Sequence, residues 1–184
     1  MVDVRLKKKW MDIMCQVYGI VDASVSSAII AQNKTPVCSK GCFFCCYQKI
    51  PLTVLEALAI KEYLLTERTP RGMAHKAGEQ QKSGPCPFLI NGACSIYSVR
   101  PIACRRYIVF NNQCGRNEDP VKTRPDEVLK PSRKALAHAL ALTRPFYEKH
   151  GAWPIGENGV EPFFSTFCLE IRSVNWADYS NRPK

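Results

Sequence analysis

The chain has 184 residues, 46% of them apolar, with 26 Lys and Arg against 16 Asp and Glu, a formal charge of +10, and ten cysteines. That much apolar material builds a core without covalent staples, so stability does not account for the cysteines. No run of about 18 or more apolar residues is evident, which argues against a membrane-spanning helix, and no small-residue cleavage site follows Arg5, Lys7, Lys8 and Lys9 as in a secretory signal.

These features predict a cytoplasmic protein. In a reducing compartment a cysteine-dense chain points to metal binding or catalysis rather than to disulfides. The charge count treats each cysteine as neutral. Four thiolates around zinc, or around a cubane core of charge about +2, leave about −2 per site, so part of the basic excess balances the site. Lys7 to Lys9 read as one solvated helix face, which disfavours nucleic acid as a partner.

In chain order, Trp10, Ile13, Val17 and Val21 recur at three- and four-residue steps and predict a long helix from Val4 to about Ile30. Cys15, alone inside it, reads as a small buried hydrophobe. Thr53 and Glu56 have the spacing of a capping box, so a second helix starts there. Its expected buried face is Val54, Ala57, Leu58, Leu64 and Leu65, and Thr69-Pro70-Arg71-Gly72 ends it, with a short polar helix over Met73 to Lys82 beyond. Asn91-Gly92, between Phe88-Leu89-Ile90 and Ala93 to Tyr97, predicts a short β-hairpin.

Gly115 to Pro131 is polar and aperiodic, and so long an irregular connection implies a tether, for which Cys114 is placed. Ser132 caps a third helix that buries Leu136, Ala139, Leu140 and Thr143 until Pro145 interrupts it. Phe163, Phe164, Phe167, Cys168 and Ile171 predict a final helical turn or two, and residues 179–184 read as a frayed tail. The predicted architecture is mainly α: a single domain, 1–184, of several helices with irregular cysteine-bearing loops over 38–114 and a small β-hairpin around a metal site.

Cys38, Cys42, Cys45 and Cys46 fall within nine residues, and Cys86, Cys94, Cys104 and Cys114 follow. Eight thiolates suit two four-ligand sites, zinc or cubane iron–sulfur, although one site with spare thiols is equally countable. The long spacings of the second group are unlike zinc ribbons, which tilts the choice toward a [4Fe–4S] cluster, with Zn as the alternative. The C-x3-C-x2-C run with Phe44 before its third cysteine resembles the cluster loop of radical-SAM enzymes. The length and the missing strand–helix alternation exclude that barrel.

The strings C-S-K-G-C-F-F-C-C and C-P-F-L-I-N-G-A-C-S-I-Y-S-V-R-P-I-A-C-R resemble the YkgJ family, a zinc- or iron-chelating cysteine-cluster family. The resemblance runs from Cys38 to about Cys114. It implies that Cys38, Cys42, Cys45, Cys46, Cys86, Cys94 and Cys104 bind metal, with Cys114 the eighth, and leaves Cys15 and Cys168 outside. Flagellin lysine methylases are similar in this motif and are associated with an iron–sulfur cluster, but they are larger, so the cluster carries over and the activity does not.

Arg100 and Arg105 are the expected cofactor-binding cations beside the sulfurs, with Arg106 a lesser candidate. Tyr97, Phe43 and Phe88 are expected to keep water off the site. His75, His138 and His150 are scattered and read as bystanders.

The functional expectation is an iron–sulfur or other metal-binding protein acting in electron transfer, metal handling or as an accessory subunit, with a protein partner or a small anionic substrate. A cluster-dependent enzyme and a zinc-stapled protein- or nucleic-acid-binding module are the alternatives. The absence of G-x-G-x-x-G disfavours a Rossmann methyltransferase.

Overall fold

The fold is that of a computed structural model, which describes residues 4–39, 41–66, 84–148 and 160–176. Helix α1 (Val4–Gln32) is the predicted long helix. Its stripe of Met14, Val17, Tyr18, Val21 and Val25 is buried in a first core, with Trp10 and Ile13 packed against the edge. Contrary to the sequence expectation, α1 does contain a stretch, Trp10–Gln32, long and apolar enough to cross a membrane. Small residues between the apolar ones dilute the pattern to the eye while leaving the helix apolar as a whole. Cys15 is also a correction: it is exposed, because it lies off the buried stripe between Met14 and Val17.

The capping box forms as predicted. The Thr53 backbone N–H donates to Glu56 Oε2 at 2.7 Å, and the Glu56 N–H donates to Thr53 Oγ1 at 3.2 Å. Helix α2 (Val54–Thr66) follows. Its buried face, however, is Leu55, Glu56, Ala57, Ala59 and Ile60, while Val54, Leu58 and Leu65 are exposed. The helix is apolar nearly all round, so periodicity does not select a side. What turns it is Glu56, drawn inward to reach Ile102. The predicted helix end at 69–72 and the helix over 73–82 lie outside the described residues, as do His75, His150 and the tail.

Asn91 and Gly92 both take positive φ (50° and 75°), as a two-residue hairpin turn of this hand requires. They join β2 (Leu89–Ile90) antiparallel to β3 (Ala93–Cys94). A five-residue helix, α3 (Ile102–Arg106), carries Cys104. The connection expected to be irregular is partly ordered: a short α4 (Pro120–Thr123) and a 3₁₀ turn, Pro125–Glu127, lie within it. Ser132 Oγ accepts from the Ala135 N–H at 3.1 Å and starts α5 (Arg133–Ala141), whose Leu136, Ala139 and Leu140 are buried. Pro145 sits in the first turn of α6 (Arg144–Tyr147), so the proline restarts a helix where the previous one stops.

Helix α7 (Val160–Phe167) ends one residue before Cys168. The predicted helical continuation is instead strand β4 (Cys168–Glu170), paired antiparallel with β1 (Pro51–Thr53) in the register Leu52 to Leu169. A second core forms beneath that pair from Ile50, Leu52, Ile60, Phe88, Ile171 and Trp176. Cys46, Cys94 and Cys104 pack against it, with Cys86 inside it. The cysteine-bearing segments are therefore anchored to a packed platform.

Candidate metal centre

Three segments converge to make the site. The first enters beside Val109: the Val37 N–H donates to Val109 O at 2.9 Å, and Pro36 bridges Phe110. A turn closed by Cys42 N–H to Ser39 O, with Gly41 at φ 95°, leads into the 3₁₀ turn Phe44–Tyr47 that holds Cys45 and Cys46. The second segment is pinned to the first where the Cys86 N–H donates to Cys46 O at 2.7 Å, and the hairpin then delivers Cys94. The third is α3 with Cys104, followed by the loop to Cys114.

Arg124 orders that last loop. It donates to Glu118 Oε1 at 2.8 Å and to Asn112 O at 2.8 Å, and pairs with Glu127. Glu118 in turn accepts from the Gly115 N–H at 2.6 Å and from Thr123 Oγ1 at 2.9 Å. These bonds hold the Glu118 carboxyl down to about 2, with the Arg124 hydrogen bond the largest cause. Cys114 is thereby buried and brought into electrostatic range of Cys38 and Cys42.

The eight predicted cysteines share one electrostatic field with two lobes. Cys38, Cys42 and Cys114 form one; Cys86, Cys94 and Cys104 form the other with Cys45, which also acts on Cys38. Cys46 shares a side-chain hydrogen bond with Cys45. All ten cysteines are free thiols. Cys15 and Cys168 stay outside the field, Cys168 being on β4 with Glu56 as its charged neighbour. Among the described residues, no three His, Cys, Asp or Glu side chains stand ready to hold a metal ion.

Electrostatics favours such a cation. Burial pushes the Cys86 thiol up to about 12 and Cys114 up to about 11. Cys38, Cys94 and Cys104 are raised chiefly by burial as well, and Cys45 chiefly by its hydrogen bond to Cys46. Thiolates here repel one another in a poorly solvated place, and a soft divalent metal or an iron–sulfur core removes that penalty. One sulfur already accepts a backbone hydrogen bond: the Val109 N–H donates to Cys38 Sγ at 3.3 Å.

Among the described residues, two buried side-chain polar atoms lack a partner, Arg100 Nε and Tyr107 Oη. Arg100 acts electrostatically on Cys45 and Cys94, and Tyr107 lies near Cys114, Cys45 and Cys38. Orphaned donors within electrostatic range of several thiols fit a group that supplies acceptor thiolate or sulfide. The donor chemistry of the site therefore fits a thiophilic metal centre.

Of the predicted cations, Arg100 acts electrostatically on Cys45 and Cys94 and stacks 3.8 Å over the Tyr97 ring. Arg105 makes its described contacts within the protein. It is buried, donates to Arg100 O at 2.9 Å and to Ser98 O, pairs with Asp22 at 2.6 Å and lies over the Tyr18 ring. The Asp22 pair and the Tyr18 contact tie α3 to α1, while the other two bonds hold the 98–100 segment, a structural role that no spacing reveals. Arg106 lines a small recess with Val21, Ser24 and Leu136. Tyr97 is 48% exposed and serves as a platform for Arg100 rather than as a water shield. Phe88 is buried against Trp176, and Phe43 is half-buried, stacked on Phe44. His138 is exposed on α5.

Sequence reasoning missed Tyr107, Arg124 and Arg172. Arg172 donates to Gly84 O at 2.6 Å and to Gln48 O at 3.4 Å, so it laces β4 to the segments before Cys86 and after Cys46. It also missed a cleft of about 480 Å³ whose wall includes Cys45, Cys104 and Tyr107. Arg172 and the cleft had no local signal, because the groups they join lie far apart along the chain, whereas Arg124 pairs with Glu118 and Glu127 close by, inside a stretch whose sequence shows no periodicity.

Residues 37–126 match the family model CxxCxxCC, described as a "putative zinc- or iron-chelating domain". No curated protein and no solved structure matches the chain.

Proposed function

From the match of residues 37–126 to the CxxCxxCC zinc- or iron-chelating family, we propose that this chain binds a [4Fe–4S] cluster and acts in electron transfer, metal handling or as an accessory subunit. The observation that carries this reading is the all-sulfur field flanked by orphaned donors, Tyr107 Oη and Arg100 Nε. Thiolates of Cys38, Cys42, Cys45, Cys46, Cys86, Cys94, Cys104 and Cys114 are the ligand pool. Such a cluster supplies one-electron chemistry, and hydrogen bonds to its sulfurs tune the potential.

The protein's own contribution is positional. The second core and the hairpin hold Cys46, Cys86, Cys94 and Cys104, the Arg124 network holds Cys114, and Arg100 offsets negative charge. The wide spacing of the second cysteine group supports iron–sulfur over zinc. Anaerobically purified protein is expected to be brown, with about four iron and four acid-labile sulfide per cluster. Colourless protein with stoichiometric zinc and no sulfide would replace this reading with a zinc centre.

A further inference from the structure

We propose that the cleft beside Cys45 and Cys104 binds a small organic anion, one with a compact apolar body and a carboxylate or phosphate end. The metal-centre reading supplies only what this ligand would lie next to; its binding rests on the cleft itself. The volume of about 480 Å³ falls in the range of small-molecule sites. Ile50, Pro51 and Ala103 provide the apolar part of the lining, and the Tyr107 ring adds an aromatic face.

The charged part of the lining is Lys49, Lys122 and Asp119. Asp119 is already paired with Lys122 at 3.1 Å, so its charge is offset within the protein. Lys49 is exposed and makes no ion pair among the described residues. The lining therefore carries one surplus positive charge, which selects an anion over a cation. A thiolate-ligated metal nearby is itself negative, and the surplus ammonium also counters that repulsion. Cys45 and Cys104 belong to the candidate ligand pool and to the cleft wall at once, so a molecule seated there lies against two candidate ligands.

The test uses the full chain, labelled with 15N and reconstituted with zinc as a diamagnetic stand-in. Benzoate, phenyl phosphate and neutral benzyl alcohol are titrated while amide shifts are followed. Saturable shifts centred on Lys49, Ala103 and Lys122 are expected with both anions, and binding of benzyl alcohol at least about tenfold weaker. The double variant Lys49→Glu, Lys122→Glu should weaken anion binding by at least about tenfold with metal content unchanged, whereas Lys134→Glu on α5 leaves it unchanged. Absent or unsaturable shifts, equal binding of benzyl alcohol, or indifference to the double charge reversal would overturn the proposal. Metal analysis of the same samples reads the metal-centre proposal separately, because anion binding is also measured on the metal-free chain.

Discussion

Glu56 Oε1 accepts the backbone N–H of Ile102 at 2.5 Å, across 46 residues of sequence. The same carboxyl closes the capping box on α2 through Oε2, so one buried acid starts both α2 and the helix that carries Cys104. The Leu55 N–H, also in the first turn of α2, is taken by the Tyr147 hydroxyl at 3.0 Å. Orphaned amides at a buried helix start are costly, and here side chains satisfy them.

Glu56→Ala should therefore do more than remove a cap. It strands two buried N–H groups and leaves a cavity, for a loss on the order of 3 kcal/mol. Chemical denaturation reads the loss, and hydrogen exchange at Ile102 should accelerate alongside that at Thr53. Protection at Ile102 equal to that of the wild type would contradict the double-capping role.

Acid should loosen the Cys114 loop through Glu118. Its folded carboxyl is held down to about 2, below the unfolded value of about 4.3. The contribution to loop order is therefore present above about pH 4.3 and is lost as pH falls toward 2. In metal-free protein the Gly115 amide should lose protection over that window. Glu118→Gln should abolish the pH dependence of this protection, and an unchanged titration in the variant would refute the assignment.

Replacement of cysteines should separate the sulfur field from the outliers. Cys42→Ser exchanges a soft ligand for a poor one, so metal content should fall. Cys15→Ser, at an exposed position, should change stability by no more than about 0.5 kcal/mol. Cys168→Ser, half-buried, should cost about 1 to 3 kcal/mol. Both should retain full metal. Metal analysis with denaturation curves checks all three, and full occupancy in Cys42→Ser beside loss in Cys168→Ser would reverse the assignment.

Tyr107→Phe removes a buried hydroxyl that has no partner among the described residues. Without metal the variant should be at least as stable as the wild type, by up to about 1 kcal/mol. With a cluster bound, the lost hydrogen bond to sulfur should lower the reduction potential. Redox titration reads the second effect; a potential identical to that of the wild type would show that the hydroxyl does not face the cluster.

The sequence by itself determined the features whose physics is complete within a few residues. Thr53 with Glu56, Ser132 with Ala135, and Asn91-Gly92 with its flanking strands each satisfy a backbone requirement locally, and each forms as read. The crowding of Cys38 to Cys46 and the long first helix were legible for the same reason.

Tertiary structure alone decided what depends on partners far along the chain. Arg105 reads like a site cation in sequence, and only the fold shows that it also pairs with Asp22, 83 residues away, and lies over Tyr18. The apolar circumference of α2 gave no buried side until Glu56 found Ile102. Strand β4 exists because β1, more than a hundred residues earlier, offers an edge to pair with, and the end of α7 carries no sequence mark of it. The cleft needs Lys49, Ala103 and Lys122 together, three segments whose proximity is a property of packing and not of spacing. Local rules bind neighbours because chain geometry already holds them close; distant contacts wait on the whole core to choose among many arrangements of comparable local energy.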